Sequence, residues 1–229
     1  MGKKSLHNNI IKSIAKNRFN PFGILQDGNS RTFLDDNNWF TIIIEFQPSS
    51  WSRGTYLNVG ANFHFYPRDY FTFEYGSREV GFKKYNGDDT QFSKYIEDLC
   101  DIALKKVKQI RNEFRNPRNA LKVLKKTIKK ANLWNVYNIG ILFGINQNFK
   151  KCQQLLSQIT NFTVKEDWHI ERKQFVEKIL KIMQTSDKFK DRLEDIIIKT
   201  RKLKKLPQIS KKELWKTKDA NDIKINIDP

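Results

Sequence analysis

Residues 39–47 read W-F-T-I-I-I-E-F-Q. In an extended chain successive side chains point to opposite faces, so Phe40, Ile42, Ile44 and Phe46 form one side. Trp39, Thr41, Ile43, Glu45 and Gln47 form the other. Period two identifies a strand with one strongly apolar face, because a helix would scatter these side chains around its axis. Residues 56–66 repeat the pattern: Leu57, Val59, Ala61, Phe63 and Phe65 alternate with Tyr56, Asn58, Gly60, Asn62, His64 and Tyr66. Arg31–Asp35 and Tyr70–Tyr75 read as two shorter strands. Asp36-Asn37-Asn38 has hairpin-turn composition, and Ser49–Gly54 that of a longer connection. Four strands in hairpin order make an antiparallel meander. Phe40, Ile42, Ile44, Phe46, Leu57, Val59, Phe63 and Phe65 are therefore expected in the core, since this register leaves them no other place.

Outside the meander the period changes. Leu6, Ile10, Ile11 and Ile14 recur at helical spacing ahead of it. Phe92, Ile96, Leu99, Ala103, Val107, Ile110 and Phe114 recur at steps of three or four after it, up to Asn116-Pro117, where a helix stops. Leu121, Leu124, Ile128 and Ala131 mark a second helix, and Trp134–Ile145 with Phe149–Ile159 a helical hairpin. Phe175, Ile179, Ile182 and Met183 mark another helix, and Asp187 is placed to cap one carrying Leu193, Ile196, Ile197 and Thr200. Pro207 ends it. The expected fold is α+β: a small antiparallel β-meander near the N-terminus, packed by an amphipathic helix and followed by a helical C-terminal region. The expected divisions are an α+β sheet domain at 1–115, a helical, strongly basic region at 116–206, and a loosely attached tail at 207–229. The tail has no periodic apolar face.

The 229 residues carry 43 Lys and Arg against 25 Asp and Glu, a formal charge of +18. Residues 1–90 hold 11 basic and 9 acidic side chains, and the other 139 residues hold 32 and 16. The excess thus belongs to the helical half, and it points to an anionic partner. Leu, Ile, Val and Phe make up about 29% of the chain, above the roughly 20% below which disorder is expected. The longest apolar run, Ile139–Ile145, is far short of the roughly 18 residues that span a bilayer. No signal-peptide pattern follows the early lysines, and Cys100 and Cys152 read as free thiols, so a cytoplasmic location is expected.

The segment from Gly28, G-N-S-R-T-F-L-D-D-N-N-W-F, followed by I-E-F-Q-P-S-S-W-S-R-G-T-Y-L-N-V-G up to Gly60, resembles an uncharacterised bacterial family related to the domain-of-unknown-function 4304 type. The likeness continues through Tyr75–Arg78, Phe82 and Tyr85 into the helix with Ala103, and more weakly through Trp134, Tyr137, Gly140 and Gly144 to about residue 160. It brings no catalytic residues with it and implies no activity.

Two surfaces qualify as candidate sites. Residues 105–130 contain eleven Lys or Arg and one acid, Glu113. On a helical wheel Arg118, Lys122, Lys125, Lys126, Lys129 and Lys130 fall together, opposite Leu121, Leu124, Ile128 and Ala131. Like charges four residues apart repel by a few tenths of a kcal/mol, so a merely solvated face normally mixes signs. Six cations without an acid fit a phosphate backbone or another polyanion; the bland alternative is a solubilising lysine-rich surface. Residues 199–218 repeat the theme with nine basic residues and one acid. The second surface is the mixed face of the meander. There Arg31, Glu45, Gln47, Asn58, Asn62 and His64, with Glu74, gather on one side if the strands pair in simple hairpin register, either as a ligand face or as an ordinary solvated one.

A sharper variant sets Asp36, Glu45 and Gln47 as a degenerate Mg²⁺ nuclease hairpin, with glutamine where a lysine usually stands. Asp36 also serves a turn for backbone reasons alone. His7, His64 and His169 are far apart in sequence, neither cysteine is paired for zinc, and no phosphate-binding or nucleophile-elbow motif occurs. Cys100 falls on the apolar stripe, and Gly140 and Gly144, one turn apart, read as a close helix contact. No catalytic residue, metal site, cofactor or membrane segment is implied. The leading expectation is a cytoplasmic, non-catalytic binding protein that contacts nucleic acid or an acidic protein surface through its basic helices. The runner-up is a metal-dependent nucleic-acid hydrolase at the sheet, and a third reading is a scaffold or immunity-type module anchored by Trp51 and Tyr56.

Overall fold

The alternating stretch at 40–47 becomes the middle strand of a five-stranded antiparallel sheet. The computed structural model describes residues 6–126, 132–161, 167–182 and 186–224. The strands are β1 (Leu25–Gln26), β2 (Thr32–Asp36), β3 (Phe40–Gln47), β4 (Gly54–Phe63) and β5 (Tyr75–Lys84), in the spatial order of the sequence. The described helices are α1 (Leu6–Phe19), α2 (Asp89–Glu113), α3 (Pro117–Leu124), α4 (Leu133–Ile145), α5 (Phe149–Thr160), α6 (Asp167–Ile182) and α7 (Ser186–Leu203). The class is α+β, as expected.

The chain divides into two compact units, one made of residues 1–62, 71–112 and 217–229, the other of 63–70 and 113–216. In the first, β2 pairs with β3 so that Phe33 faces Ile44 and Asp35 faces Ile42. Phe40, Ile42, Ile44, Phe46, Leu57 and Val59 are all fully buried. Helix α1 supplies Ile11, Ala15 and Phe19, four residues apart, and the Phe19 ring meets Phe33 at 5.2 Å and Phe46 at 6.3 Å. Helix α2 buries Phe92, Ile96, Leu99, Cys100, Ala103, Val107 and Ile110 and is tied to both sides of the sheet, to β5 by Lys106–Glu79 and to β2 by Arg111–Asp35.

Two expectations about the sheet are corrected. Tyr70–Tyr75 is not a strand: its aromatics alternate, but residues 70–74 are irregular, with Tyr70 and Phe73 exposed. The last strand is β5, whose Y-G-S-R-E-V-G-F-K-K has no continuous apolar face because it lies at the sheet edge. Gly60 pairs with Gly76, and a Cβ on either would come within about 2.3 Å of backbone on the other strand. Two facing glycines thus let β4 and β5 approach there.

The second unit begins earlier than expected. Phe63 and Phe65 are buried, as predicted, but they stack on each other at 5.6 Å, and Phe63 meets Phe114 at 5.4 Å. The Tyr137 hydroxyl donates to the Phe65 carbonyl (2.8 Å), and Tyr66 packs against Trp134 and Phe175. Residues 63–70 are therefore part of the helical core. Helices α4 and α5 form the expected hairpin. A Cβ on Gly140 would lie 3.1 Å from Leu156, and one on Gly144 would lie 2.5 Å from the Phe189 ring and 3.1 Å from the Cys152 sulfur.

The segment after Pro207 is a further correction, because through residue 224 it is bound in place. In the second unit Leu214 is buried, the Trp215 indole donates to Glu194 (2.8 Å), and Lys211 bridges Asp191 and Asp195. In the first, Lys218 reaches Asp35 Oδ1 and the Gly23 carbonyl, both at 2.8 Å. Arg111 donates to the Asp219 carbonyl, and Ile223 is buried.

The Gly144 contact generates a prediction. Gly144→Ala overfills the α4–α5–α7 packing and should lower stability in urea unfolding by about 1–3 kcal/mol, the range for overpacked cores. An unchanged midpoint would mean that Phe189 gives way freely.

Candidate functional site

Helix α3 is set by its first residues: Asn116 accepts from the Asn119 amide (2.9 Å), and Pro117 occupies the first turn, where its missing N–H is harmless. Ala120 and Leu124 are buried on one side, and the helix packs on α4. The Asn146 side chain donates to the Pro117 carbonyl (3.3 Å) and fixes its start. Arg118, Lys122, Lys125 and Lys126 are all exposed, on the opposite side from that stripe. Among the described residues none of the four has a carboxylate within 4 Å. Lys129 and Lys130, with Ile128 and Ala131, lie outside the described residues.

Not every cation of the basic stretches is so placed. Lys106 pairs with Glu79 at 3.3 Å, Lys108 donates to the Ile223 carbonyl, and Arg111 is buried on Asp35. Of the 199–218 group, Arg201 and Lys204 are buried, Lys211 holds two aspartates and Lys218 holds Asp35. Four of the nine basic residues of that second run therefore serve the architecture.

The polar face of the sheet separates into different environments. Glu45, Gln47 and Asn58 do come together: the Asn58 amide donates to Glu45 Oε2 (2.8 Å) and Gln47 Oε1 (2.9 Å). Arg78 on β5 donates to Gln47 Oε1 (2.8 Å) and lies 4.0 Å from the Tyr56 ring. These groups satisfy one another across three strands, as an ordinary sheet face does. Arg31 donates instead to Asn8 of α1 and to the Gly54 carbonyl, with Glu45 attracting it through space. Asn62 is buried and donates to Thr72 (3.2 Å). His64 is buried in the second unit, its Nδ1 3.5 Å from Lys204 Nζ. Burial, with Lys204, Arg201 and Arg68 nearby, holds His64 well below the ordinary histidine range, so it is neutral at pH 7. Arg78 was missed because β5 shows no alternation.

The nuclease arrangement does not assemble. In the β2–β3 ladder Glu45 faces Thr32, whereas Asp36 faces Thr41 at the other end. Four steps of about 3.3 Å put them roughly 13 Å apart, too far to share a cation. Asp36 accepts from the Asn38 amide (3.1 Å), the turn role its position predicted. Among the described residues no group of His, Cys, Asp and Glu converges on a cation-sized space.

No protein-family model, curated protein or solved structure matches the chain. The resemblance over residues 28–60 rests on those residues alone. No described helix is long and apolar enough to cross a membrane.

Both cysteines are buried, which pushes the Cys100 thiol far up and the Cys152 thiol up to about 12. Only the thiolate is nucleophilic, so both should resist a thiol-reactive disulfide reagent at pH 8 in the native protein and react fully in denaturant. Fast native labelling of either would place it on an accessible surface instead.

Proposed function

We propose that the protein is a non-catalytic, nucleic-acid-binding protein whose contact surface is the exposed face of α3. The observation that carries this is that, among the described residues, Arg118, Lys122, Lys125 and Lys126 stand apart from every carboxylate, above the Ala120 and Leu124 stripe. Each step of four residues along that face sets like charges side by side, which disfavours the bare helix and favours one covered by anions. A phosphate backbone supplies a row of such anions, and neutralising it releases condensed counterions. Three of the four cations are lysines, which meet phosphate as point charges, so the expected contact is mainly with backbone and only weakly sensitive to sequence.

Affinity for duplex should fall linearly in a log–log plot against salt, with a slope near 0.9 per neutralised phosphate. Replacing Lys122, Lys125 and Lys126 together by Ala should flatten that slope by up to about three and weaken every sequence alike. Stability should shift by no more than about 0.5 kcal/mol per site, since all three side chains are exposed. Fluorescence anisotropy over a salt series measures both quantities. Absence of binding at low salt would remove nucleic acid as the partner and leave an acidic protein surface as the anion.

A further inference from the structure

A second basic surface lies in the first unit, apart from the basic helices. The loop at residues 48–54, P-S-S-W-S-R-G, and the start of α1 enclose a cleft of about 530 Å³, within the roughly 300–1,000 Å³ usual for small ligands. Lys12, Arg31 and Arg53 line it, and no Asp or Glu does so among the described residues. The Lys12 ammonium donates to Asn29 (2.9 Å), and Arg31 donates to Asn8 and to the Gly54 carbonyl while Glu45 offsets part of its charge, so Lys12 and Arg53 are the lining cations left without a carboxylate partner among the described residues. His7 also lines the cleft and is only 7% exposed, stacked on Tyr85 at 5.6 Å, and its buried Nδ1 makes no hydrogen bond. Burial, and then the charges of Arg31 and Arg53, pull its pKa below the ordinary value. Trp51, also part of the lining, is 93% exposed.

We propose that this cleft binds a nucleoside phosphate, with Trp51 stacking on the base, Arg53 and Lys12 meeting the phosphate, and His7 forming part of the wall. The pairing of a flat, solvent-exposed indole with uncancelled cations is what such a ligand needs: every base has a π-face, and the phosphate supplies the counter-charge. An aliphatic anion would leave the indole without a role, and a neutral aromatic would leave the cations without one. The ligand is either a free nucleotide or one unpaired nucleotide of a single strand, and the two share this chemistry.

The test uses the full chain at low salt, titrated by calorimetry and by tryptophan fluorescence with adenosine monophosphate, adenosine, inorganic phosphate and a short oligo-dT. Adenosine monophosphate should bind more tightly than adenosine or phosphate alone, and Trp51→Ala and Arg53→Ala should each weaken it about tenfold or more. Both side chains are exposed, so the variants should melt with the parent protein. The variant with Lys122, Lys125 and Lys126 replaced should bind the nucleotide unchanged, which keeps this site distinct from the α3 face. Oligo-dT binding that depends on Trp51, with free nucleotide silent, assigns the site to single strands. Binding of neither probe, or binding indifferent to both substitutions, overturns the proposal.

Discussion

Asp35 is a carboxylate with no exposed surface, and the N-terminal unit is organised around neutralising it. Arg111 forks onto both of its oxygens, Nη2 to Oδ1 at 2.8 Å and Nε to Oδ2 at 2.9 Å. Lys218 adds a third bond to Oδ1, and the Asn37 amide a fourth to Oδ2. The remaining donors of the two cations go to the carbonyls of Phe22, Gly23 and Asp219. Burying one charge is tolerable only when it is paired and its lone pairs are filled, and here each of those conditions recruits another part of the chain. Strand β2, the end of α2, the turn before β1 and the segment at 217–219 all meet at one carboxylate.

This arrangement explains how a chain that leaves its first unit at residue 113 returns to it at 217. It also distinguishes two kinds of Lys and Arg among the described residues. Arg111, Lys106, Lys108, Lys211 and Lys218 hold carboxylates or carbonyls within their own units. Among the described residues Arg118, Lys122, Lys125 and Lys126 on α3, and Lys12 and Arg53 at the cleft, hold no carboxylate. Charge count alone does not distinguish these groups; only the position of the acids does. The α3 face and the cleft, proposed to meet phosphate, carry cations of the second kind.

The central strands and most helices are legible in the sequence, because Phe40–Phe46 and Leu57–Phe63 must bury every second side chain and Phe92–Phe114 every third or fourth. The edge strand β5 is not, since an edge with Gly76, Gly81, Lys83 and Lys84 needs no apolar face. The Tyr70–Tyr75 alternation misleads because aromatic content there serves a loop. Segment 207–224 reads as a tail because Leu214, Lys218 and Ile223 anchor it singly, at spacings that match no period. The α3 face is visible as a charge run. The cleft is not, since His7, Arg31 and Trp51 come together only when β2 and the 48–54 loop fold beside α1.

Whether Asp35 and Arg111 act as one unit is measured directly by a double-mutant cycle in urea unfolding. Asp35→Ala and Arg111→Ala should each cost about 3–5 kcal/mol, because each strands a buried charge. The double variant should cost little more than the worse single one, giving a coupling of at least about 2 kcal/mol. Single effects that add to within about 0.5 kcal/mol would contradict the account, since the two side chains would then be buried independently and the C-terminal segment held by something else.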